Sequence, residues 1–319
     1  AARPITDPLF GNKLLPMDAI KLTKRDLTKE LSVSQMNNLY NTEHSFGKTY
    51  GEHRAYLELS DEEHHEAYKY TKTKGLDFVE TLCAIGCLSL LKKFTPDRLK
   101  VASRDLTNLP LLAAMAETKI PIILSTGMSG ERELSEALEI INKYHNDISI
   151  LHCVSEYPTR YENVNLRTIN FLKNKYPEYT IGYSDHTIGI STPIAAVAMG
   201  AKIIEKHITL DRKMKGTDQK GSLAIDGMNR MVRDIRNLDI SLGEEKMNIV
   251  TSVKSARIKL ERSIATNKTL REGTIITGED IHLLSPGDGI QWSEKNKIIG
   301  KSVINDIPKD EIIHLNNIK

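Results

Sequence analysis

Long apolar runs are missing from this 319-residue chain, and neither sign of charge is in excess. No stretch approaches the ~20 apolar residues of a membrane-spanning helix, so no membrane partner is expected. The 44 basic and 42 acidic residues leave a net charge of +2 and are scattered, which argues against a nucleic-acid partner. Cysteine is scarce too. Cys83, Cys87 and Cys153 form no C-x-x-C pair, and an odd count makes a poor disulfide framework. A reducing, cytoplasmic setting is therefore expected. No basic-then-apolar leader is read at the start of the chain. The length suffices to bury a large core, as one large domain with a small one or as two of medium size.

What is present is a rhythm. Short β-type runs are read at residues 19–22, 77–82, 99–102, 121–125, 149–153, 180–183 and 202–207. From residue 76 onward they recur with helical stretches between them, as in βα units around a parallel sheet. Most are continuously apolar, which fits strands covered on both faces. The Ser60-Asp-Glu-Glu63 capping box opens a helix that ends near Gly75. Further helices are expected over 131–144, with Leu134, Leu138 and Ile141 on one face, and over 166–175, 195–200 and 228–242. The last of these stops at Gly243. Beyond residue 254 helix signals fade and short strands and turns take over. The expected organisation is a barrel domain over 1–245, a linker over 246–257 and a small β-rich domain over 258–319.

Each of the seven strands carries a polar residue near its C-terminal end: Lys21, Thr81, Lys100 with Ser103, Ser125, His152, Ser184 with His186, and His207. A ring of polar groups at one rim predicts a (β/α)8 barrel with its active site there. The rival, an open doubly wound sheet, gathers them at one crevice. His186 and His207 each follow an apolar run, at 179–182 and 201–204, and would project from neighbouring strands toward one point. Two neutral imidazoles with water and ligand oxygens suit a divalent first-row ion. Lysines 21, 100 and 206 with serines 103, 125 and 184 suit phosphate and carboxylate oxygens. Asp105, Asp185, Glu205 and Asp218 complete the inventory. Together these point to a phosphorylated, carboxylated substrate beside a Lewis-acid ion.

Blander readings compete at several positions. His152 reads as packing or as support for a site residue. Lys206 alternates with His207 and would point outward, whereas Lys100 would point inward. The segment Ser125-Thr-Gly-Met128 reads equally as a strand-to-helix turn and as a phosphate loop. His64 and His65 are assigned to the solvated face of the capped helix. The methionines read as core filling.

Several strings resemble the sialic acid synthase family: Asn41-Thr-Glu-His-Ser-Phe-Gly-Lys-Thr-Tyr-Gly-Glu-His53, Lys100-Val-Ala-Ser-Arg-Asp-Leu-Thr-Asn108 and Ile123-Leu-Ser-Thr-Gly-Met128. They continue in the same order with His152-Cys-Val-Ser-Glu-Tyr-Pro-Thr159, Gly182-Tyr-Ser-Asp-His-Thr187, Glu205-Lys-His-Ile-Thr-Leu-Asp-Arg212 and Lys215-Gly-Thr-Asp218. The resemblance covers about residues 18–319. It implies a (β/α)8 barrel followed by an antifreeze-like (SAF) domain, swapped over the partner's site in a homodimer. It implies condensation of phosphoenolpyruvate with N-acetylmannosamine, or a related N-acyl hexosamine, to an N-acetylneuraminate-type product with release of phosphate. By the same resemblance His186 and His207 are metal ligands and, with Asp105, the catalytic residues. Lys21, Thr81, Lys100, Ser103, Ser125 and Ser184 would hold phosphoenolpyruvate. Asp105, Tyr157 and Asp218 would hold the sugar. The implied ion is Mn²⁺, with Mg²⁺ or Co²⁺ as alternatives.

The chain departs from the family pattern in three places. The Glu-Ile-Gly-x-Asn-His-x-Gly of a first strand is not found, and residues 1–17 do not read as it, so an absent or altered first βα unit is expected. Lys21-Leu-Thr23 stands where Lys-x-Gln is frequent, and Ser285-Pro-Gly287 where Arg-Pro-Gly is common. Three other readings stay open: a legionaminate, pseudaminate or sialate 9-phosphate synthase, a Schiff-base aldolase using a barrel lysine, and a degenerate barrel kept as a binding protein.

Overall fold

The structure is a computed structural model and describes residues 17–319. The expectation placed on the first strand motif falls at residues 1–17, of which 1–16 lie outside the described residues. The chain divides into two compact units, 1–243 and 244–319.

The first unit is built on one sheet of seven parallel strands in sequence order. They are β1 (Ala19–Lys24), β2 (Asp77–Leu82), β3 (Arg98–Val101), β4 (Ile122–Ser125), β5 (Ile148–Cys153), β6 (Thr180–Asp185) and β7 (Ile204–Lys206). All seven coincide with the runs read in the sequence. A further parallel bridge, Ile208 to Leu223, extends the sheet past β7. The sheet curls. Lys21 on β1 and Glu205 on β7, its first and last strands, meet side chain to side chain at 2.9 Å.

Helices cover the outside. Three short ones, α1 (Leu27–Glu30), α2 (Val33–Asn37) and α3 (Tyr50–Tyr56), lie in the long connection after β1. Then come α4 (Asp61–Thr73), α5 (Leu109–Glu117), α6 (Glu131–Asn142), α7 (Thr168–Lys175), α8 (Ser191–Ala198) and α9 (Ile225–Leu242). The Ser60 box forms as expected: the Glu63 N–H donates to Ser60 Oγ at 3.2 Å, and the Ser60 N–H donates to Glu63 Oε2 at 2.7 Å. Arg236 of α9 reaches Asp18, just before β1, at 2.6 Å.

Side-chain alternation sorts the strands into two faces. Leu82, Leu99, Val101, Ile122, Leu124, Ile150 and Ile181 face outward and pack with Leu111, Leu112, Leu134, Leu138 and Ile169 of the helices. Val79, Ile123, Leu151 and Ile203 face inward and form an apolar plug. Two residues further along four of these chains come Thr81, Ser125, Cys153 and Glu205. A period of two puts these side chains on the same inner face, one layer nearer the C-terminal rim.

His64 corrects the sequence reading. It is fully buried rather than solvated, and its Nδ1 lies 2.9 Å from Glu80 Oε2 on the outer face of β2. The helix period explains this. His64, Ala67, Tyr68 and Thr71 share one face of α4, and Ala67 and Tyr68 pack on Phe78, Leu90 and Phe94. Burial pushes the Glu80 carboxyl upward, while the His64 contact opposes that shift.

The second unit begins with α10 (Lys254–Leu260) and contains β8 (Ser263–Thr266) antiparallel to β9 (Ile281–Leu284). Its own core holds Ile264, Leu270, Ile276, Ile281, Ile290, Ile298, Val303, Ile307 and Ile313. Of the short strands expected beyond residue 254, those over 269–276, 301–304 and 306–311 reduce to single antiparallel bridges, Leu270–Ile307 and Ile275–Ser302 among them. Gly273 (φ +80°) and Asp310 (φ +64°) turn the backbone out of the extended region, and Pro308 offers no N–H, so no ladder continues. Replacing Leu124, fully buried at the centre of β4, by alanine is expected to cost the first unit about 2–5 kcal/mol. Denaturant unfolding followed by amide exchange within that unit measures it.

Candidate active site

The inner polar layer is a charge network centred on Glu205. Lys21 Nζ donates to Glu205 Oε1 at 2.9 Å, Ser184 Oγ donates to the same oxygen at 3.0 Å, and Lys100 Nζ lies 3.9 Å from Oε2. Lys100 is almost completely buried, as the inward reading required, and also donates to Ser125 Oγ at 2.6 Å and to the Val101 carbonyl at 2.9 Å. Burial alone would raise the Glu205 carboxyl, but the two ammonium groups outweigh it and hold the acid well below its usual range. Burial lowers Lys100 to about 8, against the opposing pull of Glu205.

Around this centre one hydroxyl stands open to an oxygen-rich ligand, while Ser103, Ser125 and Ser184 are already bonded. Thr81 Oγ1 is buried and has no hydrogen-bond partner among the described residues, a costly state for a hydroxyl unless a ligand or water completes it. Ser103 Oγ accepts from the Gly127 N–H at 3.0 Å and donates to Cys153 Sγ at 3.6 Å. A Cβ at Gly127 would lie 2.6–2.8 Å from Ser155 Oγ, Cys153 Sγ and Ser103 Oγ, so only glycine lets that loop close on the rim.

Both histidines lie just beyond their strands, at inward positions. Their ring centroids are 5.3 Å apart at an interplanar angle of 77°. Two imidazoles bound through nitrogens ~2.0–2.1 Å from one ion would have centroids about 4.5–5 Å apart, so the pair fits a shared ion with little adjustment. His186 Nδ1 lies 2.7 Å from the Val154 carbonyl. A carbonyl only accepts, so Nδ1 carries the proton and Nε2 keeps its lone pair. Burial lowers the His186 pKa. His207 is brought to about 4 by burial and by the Lys21 ammonium, against the pull of Asp218. Both rings are thus neutral at pH 7, the form that ligates a metal. Among the described residues no three His, Cys, Asp or Glu side chains gather as a metal cluster. The protein therefore offers two imidazoles, and other coordination positions fall to water and substrate oxygens.

The residues matched to the sugar are divided. The Tyr157 ring lies tilted 4.1 Å from the His186 ring and edge-on 5.8 Å from the His207 ring. Asp218 Oδ2 is 3.7 Å from His207 Nδ1. Tyr157, His186, His207 and Asp218 line one small cleft with Thr217 and Gly221. Asp105 is engaged elsewhere, with Arg104 Nε 3.3 Å from its Oδ2. Arg104 in turn grips Glu30 of α1 at 2.6 Å, and Glu30 also takes Arg54 of α3 at 2.8 Å. Burial raises the Asp105 pKa, with Arg104 opposing. His152 faces outward, its Nε2 2.7 Å from the Val164 carbonyl, in the packing role read for it. Lys206 also points outward. Two features had no role in the sequence reading. Glu205 was visible only as one acid among four, although its place two residues before His207 puts it on the same face. The Arg104–Glu30–Arg54 chain joins residues far apart in sequence and left no local signal.

Fold and rim together define a class: a parallel α/β barrel with lysines and hydroxyls gathered beside a pair of neutral imidazoles. The chain belongs to the NeuB family, whose model matches residues 14–247, and residues 261–319 match the SAF domain. Human N-acetylneuraminate-9-phosphate synthase is 31% identical over 298 residues, covering 93% of this chain and 83% of that protein. The N,N'-diacetyllegionaminic acid synthase of Legionella pneumophila is 36% identical, over 76% of this chain and 70% of its own. In structure, the chain is similar to the N-acetylneuraminic acid (sialic acid) synthetase of Leptospira borgpetersenii, solved in complex with citrate. The TM-score is 0.63 at 33% identity, over 75% of this chain and 79% of that one. Its relatives are thus nonulosonate synthases. Among the described residues no helix is long and apolar enough to cross a membrane.

Lys100 gives the pocket a pH signature. An anion beside it favours the ammonium form, so binding weakens once pH rises through about 8 and the free amine forms. Sulfate, which does not titrate there, is expected to lose affinity progressively between pH 8 and 10. Calorimetry on wild type and Lys100→Met checks this; the variant should bind weakly with no such step.

Proposed function

We propose that this chain condenses phosphoenolpyruvate with the open-chain aldehyde of N-acetylmannosamine or a related N-acyl hexosamine. The product is an N-acetylneuraminate-type nonulosonate, with phosphate released. The observation that carries the reading is the juxtaposition of two settings. A Lys21–Glu205–Lys100 centre, with Lys100 fully buried and the Thr81 hydroxyl unpartnered beside it, lies on the same inner face that leads to the His186–His207 pair.

In this reading Lys21 and Lys100, with Thr81, Ser103, Ser125 and Ser184, hold the phosphate and carboxylate of phosphoenolpyruvate. The two ammonium groups offset its charge as carbon approaches carbon. Asp105, Tyr157 and Asp218 orient the sugar, and Tyr157 and Asp218 already border the histidine cleft. His186 and His207 would hold the divalent ion, Mn²⁺ by preference and Mg²⁺ or Co²⁺ as alternatives. A divalent ion held there supplies Lewis acidity to an aldehyde oxygen. The C-terminal unit would serve the site of a second copy in a domain-swapped homodimer. Three free, buried cysteines suit a reducing, cytoplasmic setting.

A second reading keeps one observation of its own. An interior lysine lowered to about 8 is the state a Schiff-base nucleophile needs. Lys206 is unsuited to that role, because its ammonium is sealed against Asp185 on the outer face. The deciding experiment is phosphate release from phosphoenolpyruvate against a panel of N-acyl hexosamines. Turnover is expected to vanish with chelator and to return with Mn²⁺. Indifference to chelator, together with a borohydride-trapped adduct at Lys100 formed with pyruvate, would replace the synthase reading with the aldolase.

A further inference from the structure

Directly behind the two histidines lies a buried ion pair that none of the roles above uses. Lys206 Nζ lies 2.6 Å from Asp185 Oδ2, with side chains 1% and 0% exposed. The two residues are register partners in the β6–β7 ladder. Each also immediately precedes a histidine, Asp185 before His186 and Lys206 before His207. Alternation puts the pair on the outer face and the imidazoles on the inner one. The bridge therefore fixes, from behind, the two backbone points from which the rings project.

Its remaining bonds tighten the same turn. Asp185 Oδ1 accepts from the Thr187 N–H at 3.0 Å and from Tyr183 Oη at 2.9 Å, and Asp185 Oδ2 accepts from Thr187 Oγ1 at 3.2 Å. Lys206 Nζ donates to the Thr187 carbonyl as well. His186 is thus bracketed on both sides, and its ring has a further tether at Val154. His207 is held differently. Its ring faces Asp218 only at 3.7 Å, and its backbone carbonyl accepts from the Leu223 N–H at 2.9 Å. The direction of the His207 ring thus depends on how firmly the backbone at 206–207 is held.

We infer that the Asp185–Lys206 bridge is a positioning device that sets the separation of the two imidazoles, with Lys206 chiefly responsible for the aim of His207. The inference rests on the metal-site reading above. Groups one step behind metal ligands typically alter metal affinity by about 10- to 100-fold when removed. A charge pair this deeply enclosed would be replaceable by apolar side chains if it only packed.

The test is Mn²⁺ binding to metal-free protein, with the free ion followed by electron paramagnetic resonance. Wild type should bind one ion per chain. Lys206→Met should bind it about 10- to 100-fold more weakly, and Lys206→Arg, which can still bridge Asp185, should recover most of the loss. Sulfate affinity at the Lys21–Lys100 pocket should stay unchanged in both, which separates a lost aim from general disorder. If Lys206→Met fails to fold, Thr187→Val keeps the bridge, removes one Asp185 contact, and should weaken Mn²⁺ in the same direction by less. Wild-type Mn²⁺ affinity in the folded variant, or a parallel loss of sulfate binding, overturns the inference alone. A wild-type protein that binds no Mn²⁺ overturns the metal reading and the inference with it.

Discussion

One half-buried carboxylate organises the inner face of the barrel. Glu205 accepts from Lys21 across the two ends of the sheet and lies within ion-pair distance of the buried Lys100. Burial pushes the Lys100 ammonium toward losing its proton, and the Glu205 carboxylate opposes that shift. The Lys21–Glu205 contact brings the first and last strands of the sheet together. One side chain therefore takes part both in the contact between the sheet's end strands and in the charge of the pocket. An anionic ligand entering there meets positive charge that the fold has already stabilised in part, which is how a preorganised site lowers the cost of binding.

The second constraint is the period of two. On β6 and β7 it sends Ser184, His186, Glu205 and His207 inward and Asp185 and Lys206 outward. Inner residues face the cleft and pocket, and Asp185 and Lys206 pair with each other behind them. A one-residue slip in register would exchange the two sets. The apolar plug of Val79, Ile123, Leu151 and Ile203 lies one layer below and excludes water from the floor of the pocket.

The sialic acid synthetase of Leptospira borgpetersenii shares this framework. Here the chain from Arg54 through Glu30 and Arg104 ties Asp105 to the long connection after β1. That connection carries the Asn41–His53 string, whose His53 is buried. The position of Asp105 and the packing of an excursion from the barrel are thereby linked.

The sequence by itself determined the seven strands, most of the longer helices and the residue types at the rim. Strand and helix patterns are local: continuous apolar runs, a capping box and a terminating glycine are read over a few neighbours. It also placed Lys100 inward and Lys206 outward, since alternation needs only the strand. It misjudged His64, whose face is set by packing on Phe78 and Phe94, and overcounted strands in the second unit, where single bridges replace ladders. Only the tertiary structure decided which groups meet: Glu205 with Lys21, Arg104 with Glu30, and the two imidazoles at 5.3 Å. Such meetings depend on the curl of the sheet and on long-range packing, and no window of sequence contains both partners.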